Sequence, residues 1–183
     1  MHRIMTKYLP QAIIVWFLLF STSGVFAQGK TAGFRSATSK EIMDEFMFIH
    51  WGPVSLRGTE IGWSRGHEVL VSDYDNLYKE FNPVLFSADE WVKTAKDAGM
   101  KYLTITSKHH DGFCLWPSEY TEYDIMASPF KKDIVGELAE ACKQHDIKFC
   151  MYFTILDWHD ANYPVHNDGK EPDPDADMSK FIV

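Results

Sequence analysis

The stretch "SADEWVKTAKDAGMKYLTITSKHHDG", residues 87–112, decides the fold. Its first half reads as a helix. Ser87 followed by Glu90 forms a capping box, Trp91, Val92, Ala95 and Ala98 make an apolar face, and Gly99 ends the run. Its second half turns into a strand, because "KYLTIT" (101–106) is β-branched and aromatic. His109, His110 and Asp111 stand together just past that strand. A helix, an apolar strand and then a polar cluster are the parts of a parallel α/β unit with its chemistry at the carboxyl end of the strand.

The same alternation extends to both sides. "EFMFIHWG" (45–52) is a short apolar run that predicts a strand at Phe46–His50. "DIVGELAEACKQHDI" (133–147) predicts a second helix, with Asp133 as N-cap and Ile134, Leu138, Ala141 and Cys142 on one face. "KFCMYFTI" (148–155) predicts a third strand. Strand, helix, strand, helix, strand implies a parallel sheet covered by helices, with right-handed crossovers. The connection from Trp51 to Phe86 is long for such a unit, and "SDYDNLYKEFNP" (72–83) within it reads as a short helix. In the polar segment 160–180, Asp173, Asp175 and Asp177 alternate as in a calcium loop. Met178 stands where that loop needs glycine, so the segment reads as solvated. Met178–Val183 reads as the start of a third helix, so the chain is expected to be the first part of a longer protein.

At the other end, His2, Arg3 and Lys7 precede the apolar "YLPQAIIVWFLLF" (8–20) and "STSGVFAQ" (21–28). Val25 and Ala27 satisfy the small-residue rule for cleavage after Ala27. Residues 1–27 are therefore expected to be a signal peptide and 28–183 the exported part, with no membrane association after cleavage. The apolar run is short for a membrane span.

Composition narrows the partners. With 45% hydrophobic and 24% charged residues the chain has an ordinary globular makeup. Its net charge of −8, with no basic run interleaved with aromatics, argues against a nucleic-acid partner and against anionic substrates held by charge alone. Six Trp, eight Tyr and 13 Phe are more than a core of this size asks for, and a pocket for a ring-shaped, half-apolar ligand would use the surplus. Cys114, Cys142 and Cys150 lack zinc-type spacing and allow one disulfide at most; buried free thiols are the simpler reading.

Placed on this frame, the unusual residues gather on one edge. His50 and Trp51 close the first strand, His109, His110 and Asp111 follow the second, and Tyr152, Asp157, Trp158 and His159 lie at the end of the third. The opposite ends carry only turn chemistry, whereas ligands of parallel α/β folds bind at the carboxyl ends. Three readings stay open: a metal site, a sugar pocket, or a polar loop. A metal ion needs several ligands at about 2.0–2.2 Å, and neighbouring residues on a regular strand point to opposite faces, so His109 and His110 would both reach one ion only from a loop. A neutral sugar suits the set better. Its hydroxyls donate and accept, as a neutral imidazole does, and its apolar face matches Trp and Tyr. His67, His145 and His166, each alone, read as structural.

The stretches "FMFIHWGPVS", "GWSRG", "SKHHDGFCLWPSEYTEYDI" and "KKDIVGELAEACKQHDIKFCMYFTILDWH" resemble the amino-terminal half of the catalytic domain of α-L-fucosidases, glycoside hydrolase family 29, from about residue 38 onward. The form "GTEIGWSRG" is most similar to Bacteroides-type enzymes, which would make the compartment a periplasm. The resemblance implies a (β/α)8-like, TIM-type barrel followed by a β-sandwich, here truncated after the third strand. It implies an exo-acting, retaining hydrolase that releases α-L-fucose from fucosylated glycans without metal or other cofactor. By the same resemblance His50, Trp63, His109, His110 and Tyr152 bind the sugar. The nucleophile Asp and the acid/base are expected beyond Val183, with Asp111 shaping its loop and Asp157 either supporting the site from behind or structural. The third strand would then be left as an open edge and the piece alone would be inactive. Many members carry Glu immediately before the pocket Trp; here that position is Gly62, and either Glu60 substitutes or the contact is absent. Two alternatives stand beside this one: a non-catalytic fucose-binding protein on the same fold, and a metal-dependent hydrolase.

Overall fold

The computed structural model describes residues 45–166 and 170–181. The expected signal peptide lies outside the described residues. Three strands, β1 (Phe46–Ile49), β2 (Tyr102–Lys108) and β3 (Lys148–Phe153), form one sheet in the order β1-β2-β3, with both pairings parallel. The register aligns Phe48 with Thr104 and Thr104 with Cys150.

Two helices make the crossovers. The β1–β2 connection contains a short helix α1 (Val71–Tyr74) and then α2 (Ala88–Asp97); α3 (Ile134–Gln144) joins β2 to β3. Both longer helices start where the side chains dictate. Ser87 Oγ accepts from the Glu90 amide, and the Asp133 carboxylate accepts from the Gly136 amide. Val92 and Ala95 of α2 and Ile134, Leu138 and Cys142 of α3 pack with Leu103 and Ile105 of β2 into the main core. The alternate residues of the strands, Phe48, Thr104, Thr106 and Tyr152, therefore lie on the other face of the sheet. That face is less covered: Phe48 is 46% exposed, although Thr104 and Thr106 are buried. β1 and β3 are the two sheet edges among the described residues.

Several boundaries differ from the sequence reading. β2 runs two residues further than expected, to Lys108, because a bulge between Thr106 and Lys108 lets the ladder continue. β3 ends at Phe153 rather than residue 155. The expected helix in 72–83 is split into α1 and a 3-10 turn at Leu77–Lys79. Residues 178–180 form a single turn, with the Asp177 carboxylate accepting from Ser179, rather than the opening of a helix. Asp173 and Asp175 are solvent-exposed, and no cluster of His, Cys, Asp or Glu suited to a metal ion exists among the described residues.

Candidate functional site

The site begins with the bulge in β2. Past the ladder, the chain leaves strand geometry at His109, and the alternation of faces no longer applies. The two imidazoles lie side by side, ring centroids 4.3 Å apart and tilted by 48°. His50, at the end of β1, meets His109 edge-on at 4.9 Å. Tyr152 of β3 stacks on His109 at 5.8 Å and 22°. On the other side Trp63 meets His110 edge-on at 5.5 Å, and Trp158 touches both His110 (4.9 Å) and Trp63 (5.2 Å). All five residues expected from the sequence thus join one connected set of rings.

Burial sets the electrostatics. His109 is 4% exposed. Desolvation, reinforced by repulsion from His110, His50 and the Lys108 ammonium, pushes its pKa down to about 3. His110 is lowered by burial and then by Lys108 and His50; His50 is lowered by burial, against a pull upward from the Glu60 carboxylate. At neutral pH the pocket presents neutral imidazoles. Nδ1 of His109 and Nδ1 of His110 are buried without a hydrogen-bond partner among the described residues. Neutral rings with unused nitrogens can donate and accept, which is the chemistry a hydroxylated ligand requires.

The rest of the motif is scaffolding. The Tyr74 hydroxyl donates to Asp111 Oδ2 at 2.8 Å and accepts from the Gly62 amide at 2.7 Å. Asp157 Oδ2 pairs with the Lys108 ammonium at 3.0 Å, while Asp157 Oδ1 accepts from the amides of His159 and Asp160. Lys108 also donates to the Thr154 carbonyl at 3.1 Å. The Trp158 amide then donates to the His110 carbonyl at 2.7 Å, which ties the loop after β3 to the histidine pair. Gly112 has φ +82°, and a Cβ there would collide with the Asp157 carboxylate. Both carboxylates are engaged in holding loops, as the sequence reading expected of them.

Other residues at this edge face elsewhere. Trp51 packs among Phe81, Phe86 and Trp91 in the core, its amide donating to Thr106 Oγ1. His159 stacks on Tyr123 at 3.9 Å, apart from the pocket rings. His145 binds Asp89 at 2.6 Å, and His166 Nδ1 lies 3.1 Å from the Trp158 carbonyl. All three cysteines are free thiols. Sequence reasoning placed Trp158 on the right edge but not in the pocket, because its seat over His110 is set by the long-range hydrogen bond from its amide to the His110 carbonyl. Glu60 is exposed, near enough to His50 to influence it.

Known proteins show the same arrangement of sequence. The family model described as Alpha-L-fucosidase matches residues 44–181. Alpha-L-fucosidase 1 of Arabidopsis thaliana is 38% identical over 120 residues, covering 64% of this chain and 22% of that protein. The human plasma alpha-L-fucosidase is 34% identical over 130 residues, covering 61% and 28%. Among solved structures, an alpha-L-fucosidase GH29 from Bacteroides thetaiotaomicron superposes with a TM-score of 0.61 at 36% identity, over 70% of this chain and 32% of that one. The Lactobacillus casei alpha-L-fucosidase AlfC in complex with its α-L-fucose product does so with a TM-score of 0.60 at 40% identity, over 66% and 42%. The chain spans about a quarter of the length of these curated relatives.

Proposed function

Because this chain belongs to the α-L-fucosidase family, we propose that it forms the fucose-binding part of an exported, exo-acting, retaining α-L-fucosidase. The observation that carries this reading is the ring set itself. His50, His109, His110, Trp158 and Tyr152 from three strand ends converge with Trp63 from the β1–β2 connection, and the buried Nδ1 atoms of His109 and His110 are left unpaired among the described residues. The imidazoles orient sugar hydroxyls, and the indoles and phenol cover the apolar face of the deoxy-sugar. The three-stranded sheet is the opening portion of a TIM-type barrel, whose further strands would continue from the β1 and β3 edges. Retaining hydrolysis needs two carboxyl groups about 5–5.5 Å apart. That Asp111 and Asp157 are engaged by Tyr74 and Lys108 supports a reacting pair on later strands. The AlfC D200A variant is seen in complex with Fuca(1,6)GlcNAc, and a fucosylated glycan is the proposed substrate class here.

The test is turnover of 4-nitrophenyl α-L-fucopyranoside, a substrate bound by the AlfC D200A mutant, by the full-length protein. Release of 4-nitrophenol that persists in excess EDTA supports the proposal. Fucose binding without turnover would instead make the protein a non-catalytic fucose binder, and loss of activity in EDTA would make it a metal-dependent hydrolase.

A further inference from the structure

Two dipeptides of the pocket are tied together twice. Trp63 touches His110 through their rings. Their chain neighbours, Gly62 and Asp111, are joined through the Tyr74 hydroxyl, which accepts from the Gly62 amide and donates to Asp111 Oδ2. The circuit Gly62–Trp63–His110–Asp111–Tyr74 is closed. Every polar member away from the ligand is buried: Tyr74 and Asp111 are each 1% exposed. The Tyr74 ring sits in a separate apolar cluster with Val54, Ile61, Val69 and Leu77, where phenylalanine would satisfy the packing. The hydroxyl therefore has a purpose other than packing, since burying it unpaired would be unfavourable and here it both donates and accepts. Trp63 itself is 52% exposed, and its ring contacts are those to His110 and Trp158.

We propose that Tyr74 and Asp111 are positioning residues that lock the Gly62–Trp63 turn onto the histidine pair and so set how Trp63 covers the bound ligand. Neither touches the ligand; both act through Trp63 and His110. The kinetic arm of the proposal rests on the fucosidase reading, but the coupling itself does not.

The experiment compares Tyr74→Phe, Asp111→Asn, Asp111→Leu and the double variant Tyr74→Phe/Asp111→Leu in the full-length protein. Three quantities are read: thermal stability, the NMR signal of the Trp63 indole N–H (identified by its loss in Trp63→Phe), and kcat and KM for 4-nitrophenyl α-L-fucopyranoside. Tyr74→Phe and Asp111→Leu are expected to shift the indole signal and raise KM by about three- to tenfold, the factor a lost hydrogen bond supports, with a smaller effect on kcat. Asp111→Asn keeps an acceptor for the Tyr74 hydroxyl and is expected to stay within twofold (roughly) of wild type, as a hydrogen-bond role rather than a charge role requires. The double variant should be no worse than the poorer single one, since both break one circuit. An unmoved indole signal in a folded Tyr74→Phe protein, an Asp111→Asn protein as impaired as Asp111→Leu, or multiplying KM effects in the double variant would each overturn the proposal. A wild-type protein without fucosidase activity would refute the functional reading instead, and the indole signal would still decide the circuit.

Discussion

Gly62 and His109 occupy space that only one side chain can fill. A Cβ on Gly62 would stand 2.5 Å from Nδ1 of His109, and the backbone there has φ +73°. The imidazole of His109 thus leaves room at position 62 for glycine alone. Gly62→Ala is expected to destabilise the fold by about 1–2 kcal/mol from the left-handed backbone alone, with more from displacing His109, and to raise KM for an aryl fucoside in the full-length protein. Gly62→Glu should be worse on both counts. Denaturation and steady-state kinetics check this, and a Gly62→Glu protein with improved KM would contradict it.

The imidazoles should divide sharply by location. In the full-length protein, His50→Ala or His109→Ala is expected to lower kcat/KM for an aryl α-L-fucoside by at least about tenfold, through loss of an oriented hydrogen bond to the substrate. His145→Ala, which removes only a contact to Asp89 across the outside of the helices, should leave kcat/KM unchanged. Equal rates in all three variants would remove the substrate-binding role.

Much of this was legible in residues 45–155 because the strands and helices here carry strong local signals. Ser87 and Asp133 cap as their positions dictate, and the alternation of Leu103 and Ile105 with Thr104 and Thr106 separates the two faces of β2. The convergence of three strand ends followed from parallel order alone. What local pattern could not supply was the register shift between Thr106 and Lys108 and the end of the strand at Lys108, past which His109 and His110 escape the rule of opposite faces. Trp158 was missed for a related reason. Its place over His110 depends on a hydrogen bond between segments 48 residues apart and on the Lys108–Asp157 ion pair, neither of which has a periodicity to read.

That ion pair yields a third prediction. Lys108 and Asp157 have side chains 7% and 10% exposed, so removing one partner strands a buried charge. Lys108→Met is expected to cost about 3–5 kcal/mol of stability and to loosen the loop that carries Trp158. Adding Asp157→Asn should recover part of the loss, because Asn still accepts from the His159 and Asp160 amides while the stranded charge is gone. A double variant less stable than Lys108→Met alone would rule out the charge as the cause. Equilibrium denaturation of the three proteins decides it.

Acid should destabilise the pocket, and the sign follows from its buried groups. His109 falls to about 3 from an ordinary 6.5, chiefly through burial, so between those values the unfolded chain binds a proton that the folded chain does not. The stability is complete above pH 6.5 and is lost as pH falls through that window. His50, His110 and His159 are shifted in the same direction, also by burial first. Asp111 opposes them. Burial raises it from 3.8 to about 6, so its folded form retains a proton longer and its contribution to stability declines as pH rises across that interval. The fall of His109 from 6.5 to about 3 is larger than the rise of Asp111 from 3.8 to about 6, so stability should climb from pH 4 to pH 6.5. His109→Gln is expected to remove up to one proton from that slope, about 1.4 kcal/mol per pH unit, whereas Asp111→Asn should steepen it. Urea denaturation across this range measures both, and a slope unchanged by His109→Gln would mean that the folded protein carries this imidazole protonated.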